Sequence, residues 1–246
     1  MKTSLYLKIR ENVKTILYAL VIALIIRSFL FQPFFIPSSS MEPTLLVGDR
    51  LFVAKYSYGY SKHSLPFSPP VSEKRIFEKK PKRGDVIVFK TPADDRTDYI
   101  KRLIGLPGDR IQFVDGSLYL NKNKILRKKA NFPQQINCGS YQLEVNSYIE
   151  SLPNGKSYLT VYNKEDTMVN SDEYIVPDGY YFFLGDNRDC SKDSRYLTSV
   201  GYVKAENLVG QAKILFFSNN VDKGNFFQFW KWKKSIRLNR FFNKIK

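Results

Sequence analysis

The hydrophobic pattern divides the chain into an apolar N-terminal segment and a long remainder rich in short strands. Residues 16–26 carry no charge, and the apolar character resumes after Arg27 and continues to Ile36. A helix from about Val13 to Phe31 approaches the ~20 residues that a bilayer requires, provided that Arg27 extends to the far interface. The pattern therefore predicts a short cytoplasmic N-terminus over residues 1–12 and a transmembrane anchor over residues 13–35.

Two other structures fit the apolar segment. A basic start followed by a short apolar run is also typical of a cleavable secretory signal, but the bulky sequence SFLFQPFF offers no pair of small residues for cleavage. A helix buried in a soluble core is the third possibility, although the segment has no polar face and therefore suits lipid better. We favour an uncleaved anchor. The basic N-terminus would then stay in the cytoplasm, and residues 36–246 would lie outside it.

Beyond the anchor, β-branched and aromatic runs recur between Gly, Pro, Asn and Asp residues, a pattern typical of antiparallel strands. Asp115-Gly116 lies between two of these runs and is a strong hairpin signal. The predicted strands are residues 50–55, 85–89, 99–104, 110–114, 117–121, 157–162, 180–184 and 213–217. Residues 61–84, rich in proline and lysine, predict a long excursion, and the less regular residues 121–178 predict an inserted subdomain. The pattern indicates a mainly β domain.

Composition restricts the chemistry. The chain has 39 Lys and Arg against 23 Asp and Glu, a net charge of +16, so an acidic partner such as nucleic acid, phosphate or anionic lipid is expected. One histidine, His63, and two cysteines leave almost no ligands for a zinc cluster and exclude a framework of several disulfides. A Ser-His-Asp hydrolase would need His63 as its base. If the protein is a hydrolase, we expect its base to be another residue.

Three serines follow the anchor directly, between Pro37 and Pro43. Serines in such loops are usually turn residues, but the prolines restrict the backbone and would hold a hydroxyl in place. A serine nucleophile needs a base, and a lysine can serve when burial or nearby positive charge lowers its pKa. A candidate base is therefore a buried lysine.

Lys101 is the strongest candidate for this base. It lies in the predicted strand 99–104, whose two faces carry Lys101 and Arg102 among apolar neighbours, so at least one cation is expected to be partly buried. A solvated edge strand explains the same pair, and spacing alone does not select Lys101. The third candidate stretch, residues 185–195, is dense in hydroxyls and carboxylates. These groups could orient an amine, or could form a polar surface loop with weak ion pairs.

Together these stretches resemble bacterial type I signal peptidases, also called leader peptidases, which are serine proteases with a Ser-Lys dyad. After the basic N-terminus and the anchor, the similar segments follow in the expected order: residues 36–59, 83–90, 98–109 and 185–195. The strand pattern and the resemblance imply a mainly β fold, in which an antiparallel β-barrel-like catalytic domain carries an N-terminal transmembrane helix and an inserted smaller subdomain. The resemblance implies no cofactor and no metal.

The resemblance also assigns roles to individual residues. Ser40 would be the nucleophile and Lys101 the general base, with the Ser38 hydroxyl and the Ser40 backbone N–H binding the oxyanion. Ser191 would hydrogen-bond the Lys101 amine, while Asp193 and Arg195 pair to hold the loop. Six residues occupy positions that line the family's shallow substrate pockets: Ile36, Pro37, Met41, Leu45, Tyr99 and Ile100. The implied reaction is removal of signal peptides from secretory preproteins after small residues at the first and third positions before the cut.

The sequence departs from the family pattern in four places. Ser39 stands where glycine is usual, so which serine attacks needs a test, and Cys190 stands where a polar residue is more usual. The chain has one predicted membrane segment rather than two, and it lacks the local cysteine pair of some relatives. Cys138 could pair with Cys190 in an oxidising compartment, but two cysteines give no spacing evidence, and the sequence does not favour the pair.

The C-terminal segment, residues 223–246, contains eight Lys or Arg, no acid and many aromatic residues. This composition can bind single-stranded nucleic acid by stacking and phosphate contacts, lie at an anionic membrane surface, or form an ordinary solvated tail. We favour a membrane-facing tail and expect an anionic phospholipid membrane as a partner, no nucleic acid and no obligate protein partner.

The location that follows is the bacterial inner (plasma) membrane, with a single-pass anchor and the catalytic domain on the periplasmic side. A mitochondrial inner-membrane relative stays possible. Two further classes also remain open. One is a membrane-anchored β domain without activity, against which the complete set of Ser40, Lys101 and Ser191 argues. The other is a self-cleaving Ser-Lys protease of the repressor type, which would carry a DNA-binding module that the sequence does not show.

Overall fold

The computed structural model describes residues 2–66, 68–70, 75–224 and 228–245. The chain begins with helix α1, Lys2–Ile25, which continues through a π-helical turn, Ile26–Leu30. The segment Lys8–Leu30 has a mean hydropathy of 2.0 and is long and apolar enough to cross a membrane, and only 6% of its apolar window is buried. It therefore does not pack as a core helix of the described domain.

The helix ends earlier than the predicted anchor. Phe31–Phe35 is not membrane-spanning helix but strand β1, which pairs antiparallel with β2. Pro33 explains this limit, because proline has no N–H to donate within a helix and also disfavours helical backbone at the preceding residue. The chain therefore enters the sheet directly where the helix ends.

The remainder is mainly β, as the strand pattern predicted. The fifteen strands in the described residues are β1 Phe31–Phe35, β2 Asp49–Ala54, β3 Val86–Lys90, β4 Asp98–Gly105, β5 Arg110–Val114, β6 Ser117–Leu120, β7 Asn123–Lys124, β8 Leu126–Ala130, β9 Gln135–Cys138, β10 Tyr141–Ser151, β11 Ser157–Asn163, β12 Tyr174–Ile175, β13 Tyr180–Leu184, β14 Val203–Lys204 and β15 Leu208–Ser218. A short helix α2, Trp232–Ser235, follows.

The largest sheet has the strand order β1-β2-β15-β3-β4-β13-β14, and each neighbouring pair is antiparallel. The sheet curls, and the apolar residues of its strands form two buried clusters. Strands β11, β10 and β8 form a separate sheet, in which β9 also pairs with β10. The third sheet has the strand order β12-β5-β6-β7. The separate sheet lies within residues 121–178, where the sequence predicts an inserted subdomain.

The predicted excursion, residues 61–84, is described only in part, because residues 67 and 71–74 lie outside the described residues. Arg75, within the excursion, connects it to the rest of the domain. The Arg75 guanidinium donates hydrogen bonds to the carbonyls of Tyr58, Gly59, Ala205 and Leu208. This residue fastens the excursion to the sheet.

The C-terminal segment packs back onto the domain over much of its length. The Arg240 guanidinium bonds the buried Asp49 carboxylate at 2.6 Å, the Phe241 ring lies 5.3 Å from that of Phe217, and Lys244 forms a β-bridge with Ile214. Phe229 and Trp230 stay exposed. Residues 236–245 are thus held against strands β2 and β15, and the membrane-facing role of the segment stays a prediction. Residues 225–227 and 246 of the segment lie outside the described residues.

Candidate active site

Ser40 lies in the loop that joins β1 to β2, and the backbone closes this loop at its base. Ile36 N–H donates to the Asp49 carbonyl at 2.9 Å, and Gly48 N–H donates to the Ile36 carbonyl at 3.0 Å. Inside the loop, Met41 and Leu45 are fully buried in the cluster between β2, β3 and β15. Burying these two side chains anchors the Ser40 loop on the sheet.

Lys101 lies on β4, between the neighbouring strands β3 and β13. Its Nζ is 2.6 Å from the Ser40 Oγ and also donates to the Ile100 carbonyl at 3.1 Å. The side chain is 4% exposed. Burial lowers the pKa of Lys101 to about 8, although Asp193 and Asp186 oppose this effect. The structure therefore brings the candidate nucleophile and a readily deprotonated amine into direct contact.

The three serines of the loop have different surroundings. Ser38 is exposed, and its Oγ lies 3.4 Å from that of Ser40. Ser39 is buried, and its hydroxyl lies 3.5 Å from the Cys190 Sγ rather than beside Lys101. Ser40 is thus the serine that contacts the lysine.

The loop after β13 brings Asp193 close to the Ser40–Lys101 pair. Burial raises the Asp193 pKa, but the Arg195 guanidinium and the Gly185 N–H outweigh this effect and leave the pKa below its usual value. The carboxylate bonds the Arg195 guanidinium at 2.8 and 2.9 Å and accepts the Gly185 N–H at 2.9 Å. The Asp193–Arg195 pair that we predicted is therefore formed, and it closes the loop on itself.

Ser191 departs from its predicted contact. Its buried hydroxyl makes no hydrogen bond to Lys101 among the described residues and has no partner at ordinary hydrogen-bond geometry. It lies near enough to the Asp193 carboxylate to contribute to the lowered pKa of that group. The acceptors of the Lys101 ammonium in this structure are instead the Ser40 hydroxyl and the Ile100 carbonyl.

Two buried ion pairs support the same loop, and sequence reasoning did not find them. Asp186 accepts two hydrogen bonds of 2.7 Å from Arg102, on the opposite face of β4 from Lys101. Arg188 forms a second bidentate pair with Glu150, at 2.6 and 2.9 Å. The alternation of β4 predicted that at least one of its two cations would be partly buried, and the structure buries both. The acidic partner of Arg102 could not be read from local spacing.

A cavity of about 620 Å³ opens beside Ser40 and Lys101, and we refer to it as the cleft. Four of the six predicted pocket residues line it: Ile36, Pro37, Tyr99 and Ile100. Met41 and Leu45 do not, because both side chains point into the core beneath the loop. The cleft is also lined by residues that we did not predict, namely Phe34, Phe35, Val88, Thr97, Asp98, Cys190 and Lys192.

Cys138 and Cys190 form a disulfide, with Cα atoms 5.7 Å apart. The sequence did not favour this pair, because two cysteines give no spacing evidence, and the two residues are 52 positions apart. The bond links the end of β9 to the loop that carries Ser191. It therefore joins the separate sheet to the edge of the cleft.

His63 lies away from this site. Its Nδ1 is 3.0 Å from the Ser68 Oγ and its Nε2 is 3.3 Å from the Asp95 carboxylate. Burial is the main cause that lowers its pKa. In the part of the chain that the structure describes, no group of three or more His, Cys, Asp or Glu residues is arranged to hold a metal ion. The candidate base that contacts Ser40 is therefore Lys101 and not His63.

Comparison with known proteins identifies the family of the chain. The family model described as signal peptidase, peptidase S26, matches residues 9–217. A signal peptidase I of Rickettsia akari is 41% identical over 251 residues, covering 93% of this chain and 90% of that protein. A signal peptidase I of Rickettsia typhi is 38% identical over 254 residues, covering 96% and 94%.

Among solved structures, a signal peptidase I of Enterococcus faecalis is 30% identical and covers 54% of this chain and 97% of that one, with a TM-score of 0.32. The family match spans most of the chain and includes the Ser40 loop, β4 and the loop after β13. The chain therefore belongs to the signal peptidase family, peptidase S26, whose members are serine proteases that cleave signal peptides.

Proposed function

We propose that this protein is a membrane-anchored signal peptidase in which Ser40 is the nucleophile and Lys101 the general base. The observation that carries the proposal is the 2.6 Å contact between the Ser40 Oγ and the buried Lys101 Nζ. Burial lowers the pKa of Lys101 to about 8, so about half of the enzyme holds a neutral amine at pH 8 and roughly a tenth at pH 7. A neutral amine accepts the serine proton that an ammonium could not take.

The reaction then proceeds in two stages. As the Ser40 Oγ bonds to the peptide carbonyl carbon, its proton moves to Lys101, and the resulting ammonium returns a proton to the departing amine when the C–N bond breaks. Neutral Lys101 next takes a proton from water, whose oxygen attacks the ester. The Ser40 Oγ recovers a proton as the C–O bond breaks, which releases the signal peptide as a carboxylic acid.

The charge that develops on the carbonyl oxygen needs donors already in place. The exposed Ser38 hydroxyl lies beside the nucleophile, and the Ser40 backbone N–H makes no hydrogen bond to another described residue. Both donors are consistent with an oxyanion hole, where one donor typically contributes about 3 to 4 kcal/mol to the transition state. Asp193 and Arg195 hold the loop against this site, and Ser191 occupies the space beside them.

The shape of the cleft supports the substrate preference. Ile36, Tyr99 and Ile100 give it apolar walls near the serine, as expected for the side chains before a cut site. Small pockets reject bulky side chains by steric overlap, which discriminates more strongly than the favourable contact of one extra methylene. We infer that the substrate is the cleavage region of a secretory preprotein with small residues at the first and third positions before the scissile bond.

The arrangement of the anchor supports a catalytic domain on the extracytoplasmic side of the inner membrane. The basic residues Lys2, Lys8, Arg10 and Lys14 precede the uncharged run of the helix, residues 16–26, as positive-inside bias requires. The Cys138–Cys190 disulfide agrees with an oxidising compartment, since cytosolic thiols are kept reduced. Strand β1 follows the helix immediately, so in the proposed orientation the Ser40 loop would lie close to the bilayer surface.

A panel of preprotein substrates tests the proposed specificity. Replacing a small residue by leucine or phenylalanine at either the first or the third position before the cut is expected to lower kcat/KM by at least about 10²-fold, because overlap excludes the side chain. The same replacement at the second position serves as the matched control and should change cleavage little. Equal loss at all three positions would contradict pockets for alternate side chains.

The pH dependence of kcat/KM reports on the base. Lys101 must be neutral in the free enzyme, so kcat/KM should rise with pH, level off above a pKa of about 8, and fall about tenfold per unit well below it. Initial rates with a preprotein whose cleavage region contains no titratable side chain, over pH 6 to 10, measure this profile. A profile that is flat between pH 7 and 9 would count against Lys101 as the base.

A further inference from the structure

A second cavity, of about 450 Å³, lies beside the end of the membrane helix, and it is lined mainly by charged and polar side chains. Arg27 reaches it from the π-helical turn, Lys55 from the end of β2, and Arg96 from the turn before β4. None of these three residues takes part in the proposed proteolytic chemistry. We refer to this cavity as the basic pocket.

The acidic groups of the basic pocket are already paired. Asp98 forms an ion pair with Lys90 at 2.9 Å, and Asp95 pairs with Lys62 at 2.6 Å and lies 3.3 Å from the His63 ring. Within the described ranges, neither Arg27, Lys55 nor Arg96 forms an ion pair with a carboxylate. The pocket therefore collects three cations without three matching anions.

Lys55 shows that this charge is built into the fold. The side chain is 2% exposed, yet the one acceptor that its ammonium has among the described residues is the neutral Ser64 carbonyl. An ammonium has three donors, and burying it without an anion is costly. Burial, followed by the nearby Arg27, lowers the Lys55 pKa to about 8. An anion in the pocket would accept the remaining donors and offset this cost.

The position of the basic pocket indicates which anion it meets. Arg27 lies near the end of the membrane-spanning segment Lys8–Leu30. Aromatic side chains lie near the same end of the helix, and Phe29, Phe31 and Tyr56 are exposed. Phe29 packs edge-on against Tyr60, with ring centres 5.5 Å apart, and Phe31 packs edge-on against Tyr56, at 5.6 Å. Aromatic side chains favour the headgroup region of a bilayer. The anions that are abundant at this depth are the phosphodiesters of phospholipids.

We propose that the basic pocket binds the phosphodiester of a membrane phospholipid through Lys55, Arg27 and Arg96. Guanidinium groups match phosphate oxygens with paired N–H donors, and the ammonium adds a point charge from the buried side. Asp98 lines both the basic pocket and the cleft beside Ser40, and its neighbour Thr97 lines the cleft. A lipid headgroup in the pocket therefore sits next to the substrate site and fixes the height of the cleft above the bilayer. The proposal rests on the membrane-anchored arrangement described above but not on the identity of the catalytic residues.

Thermal unfolding of the full-length protein in a non-ionic detergent tests this site. Dihexanoyl phosphatidylglycerol is titrated at constant ionic strength, and binding to the native state raises Tm once the lipid concentration exceeds its dissociation constant, because the stabilisation grows with the logarithm of that ratio. The variant R27Q/R96Q is expected to bind at least about tenfold more weakly than the wild type, because two charge-assisted contacts are lost. Both arginines are exposed, so this variant should fold. The matched control K128Q/K129Q removes the same charge from the distant strand β8 and should behave as the wild type.

Three outcomes would overturn the proposal: equal lipid stabilisation of R27Q/R96Q and the wild type, equal loss in K128Q/K129Q, or inorganic phosphate raising Tm as much as the lipid at equal concentration. The last result would identify a site for free phosphate. Lys55→Met is expected to weaken binding as R27Q/R96Q does, and should this variant fail to fold, the arginine pair decides the question. Because unfolding does not depend on cleavage, the measurement can be repeated in Ser40→Ala protein. A failure of the proteolytic proposal would leave the test intact.

Discussion

Replacing Lys101 by methionine is expected to lower kcat/KM for preprotein cleavage by about 10⁴-fold or more, the range seen when a serine protease loses its base. Methionine retains an unbranched side chain of similar length and fits a buried position, but it offers no basic atom to Ser40. Lys101→Arg should be equally inactive, because a guanidinium does not release its proton near neutral pH. The pair of variants separates the need for a base from the need for a positive charge.

Ser40→Ala should lose as much activity as Lys101→Met, and the double variant should lose no more than either alone, since nucleophile and base act as one unit. Ser38→Ala removes one oxyanion donor and is expected to cost only about 10² to 10³ in kcat. Single-turnover cleavage of a preprotein by purified full-length variants measures these losses, with Tm recorded for each. A folded Ser40→Ala protein that still cleaves at the wild-type rate would assign the nucleophile to another residue, with Ser38 as the first to test.

The sequence predicts those features of the fold and the candidate site that depend only on local backbone geometry. A strand alternates its faces, so the adjacent cations of β4 had to point in opposite directions, and the structure places Lys101 toward Ser40 and Arg102 toward Asp186. The strands β5 and β13 begin and end at the predicted residues, because turn-forming residues border each of them. Chain-local signals of this kind need no knowledge of the tertiary path.

The features that were missed depend on distant parts of the chain. Met41 and Leu45 are apolar residues in a loop, and such residues can line a cleft or anchor the loop in the core. The packing of β2 and β15 beneath the loop selects the core. The disulfide joins residues 52 positions apart, and only the path of the separate sheet brings Cys138 to Cys190. The packing of the C-terminal segment likewise depends on a distant contact, because Arg240 binds the buried Asp49 carboxylate, whereas the membrane-facing role of the segment stays a prediction.

The catalytic geometry also depends on a residue without a side chain. Gly185 follows β13 at the point where the Ser40 loop and the Ser191 loop meet. A Cβ at this position would lie 2.2 Å from the Ser191 Oγ and 2.5 Å from the Ser40 carbonyl oxygen. Both distances are far below van der Waals contact, and the second involves backbone that no rotamer change can move. The two loops can approach this closely only because the residue between them is glycine.

Gly185→Ala is therefore expected to push the two loops apart and draw Ser40 away from Lys101. A displacement of about 1 Å between reacting groups can cost about 10²-fold in rate, so we expect at least this loss in kcat/KM. Gly116→Ala is the matched control: a Cβ there meets no atom within 4 Å, and its positive φ of 64° costs roughly 1 kcal/mol of stability without touching the cleft. Preprotein cleavage and Tm measured for both variants distinguish the two effects. Loss of activity in Gly185→Ala beyond what its Tm explains would show that the spacing of the loops sets the dyad, whereas wild-type activity in a folded Gly185→Ala protein would show that the loops tolerate separation. The Ser40 carbonyl oxygen also accepts a hydrogen bond from the Asn187 N–H, so separating the two loops would break this bond as well. We therefore expect the first result.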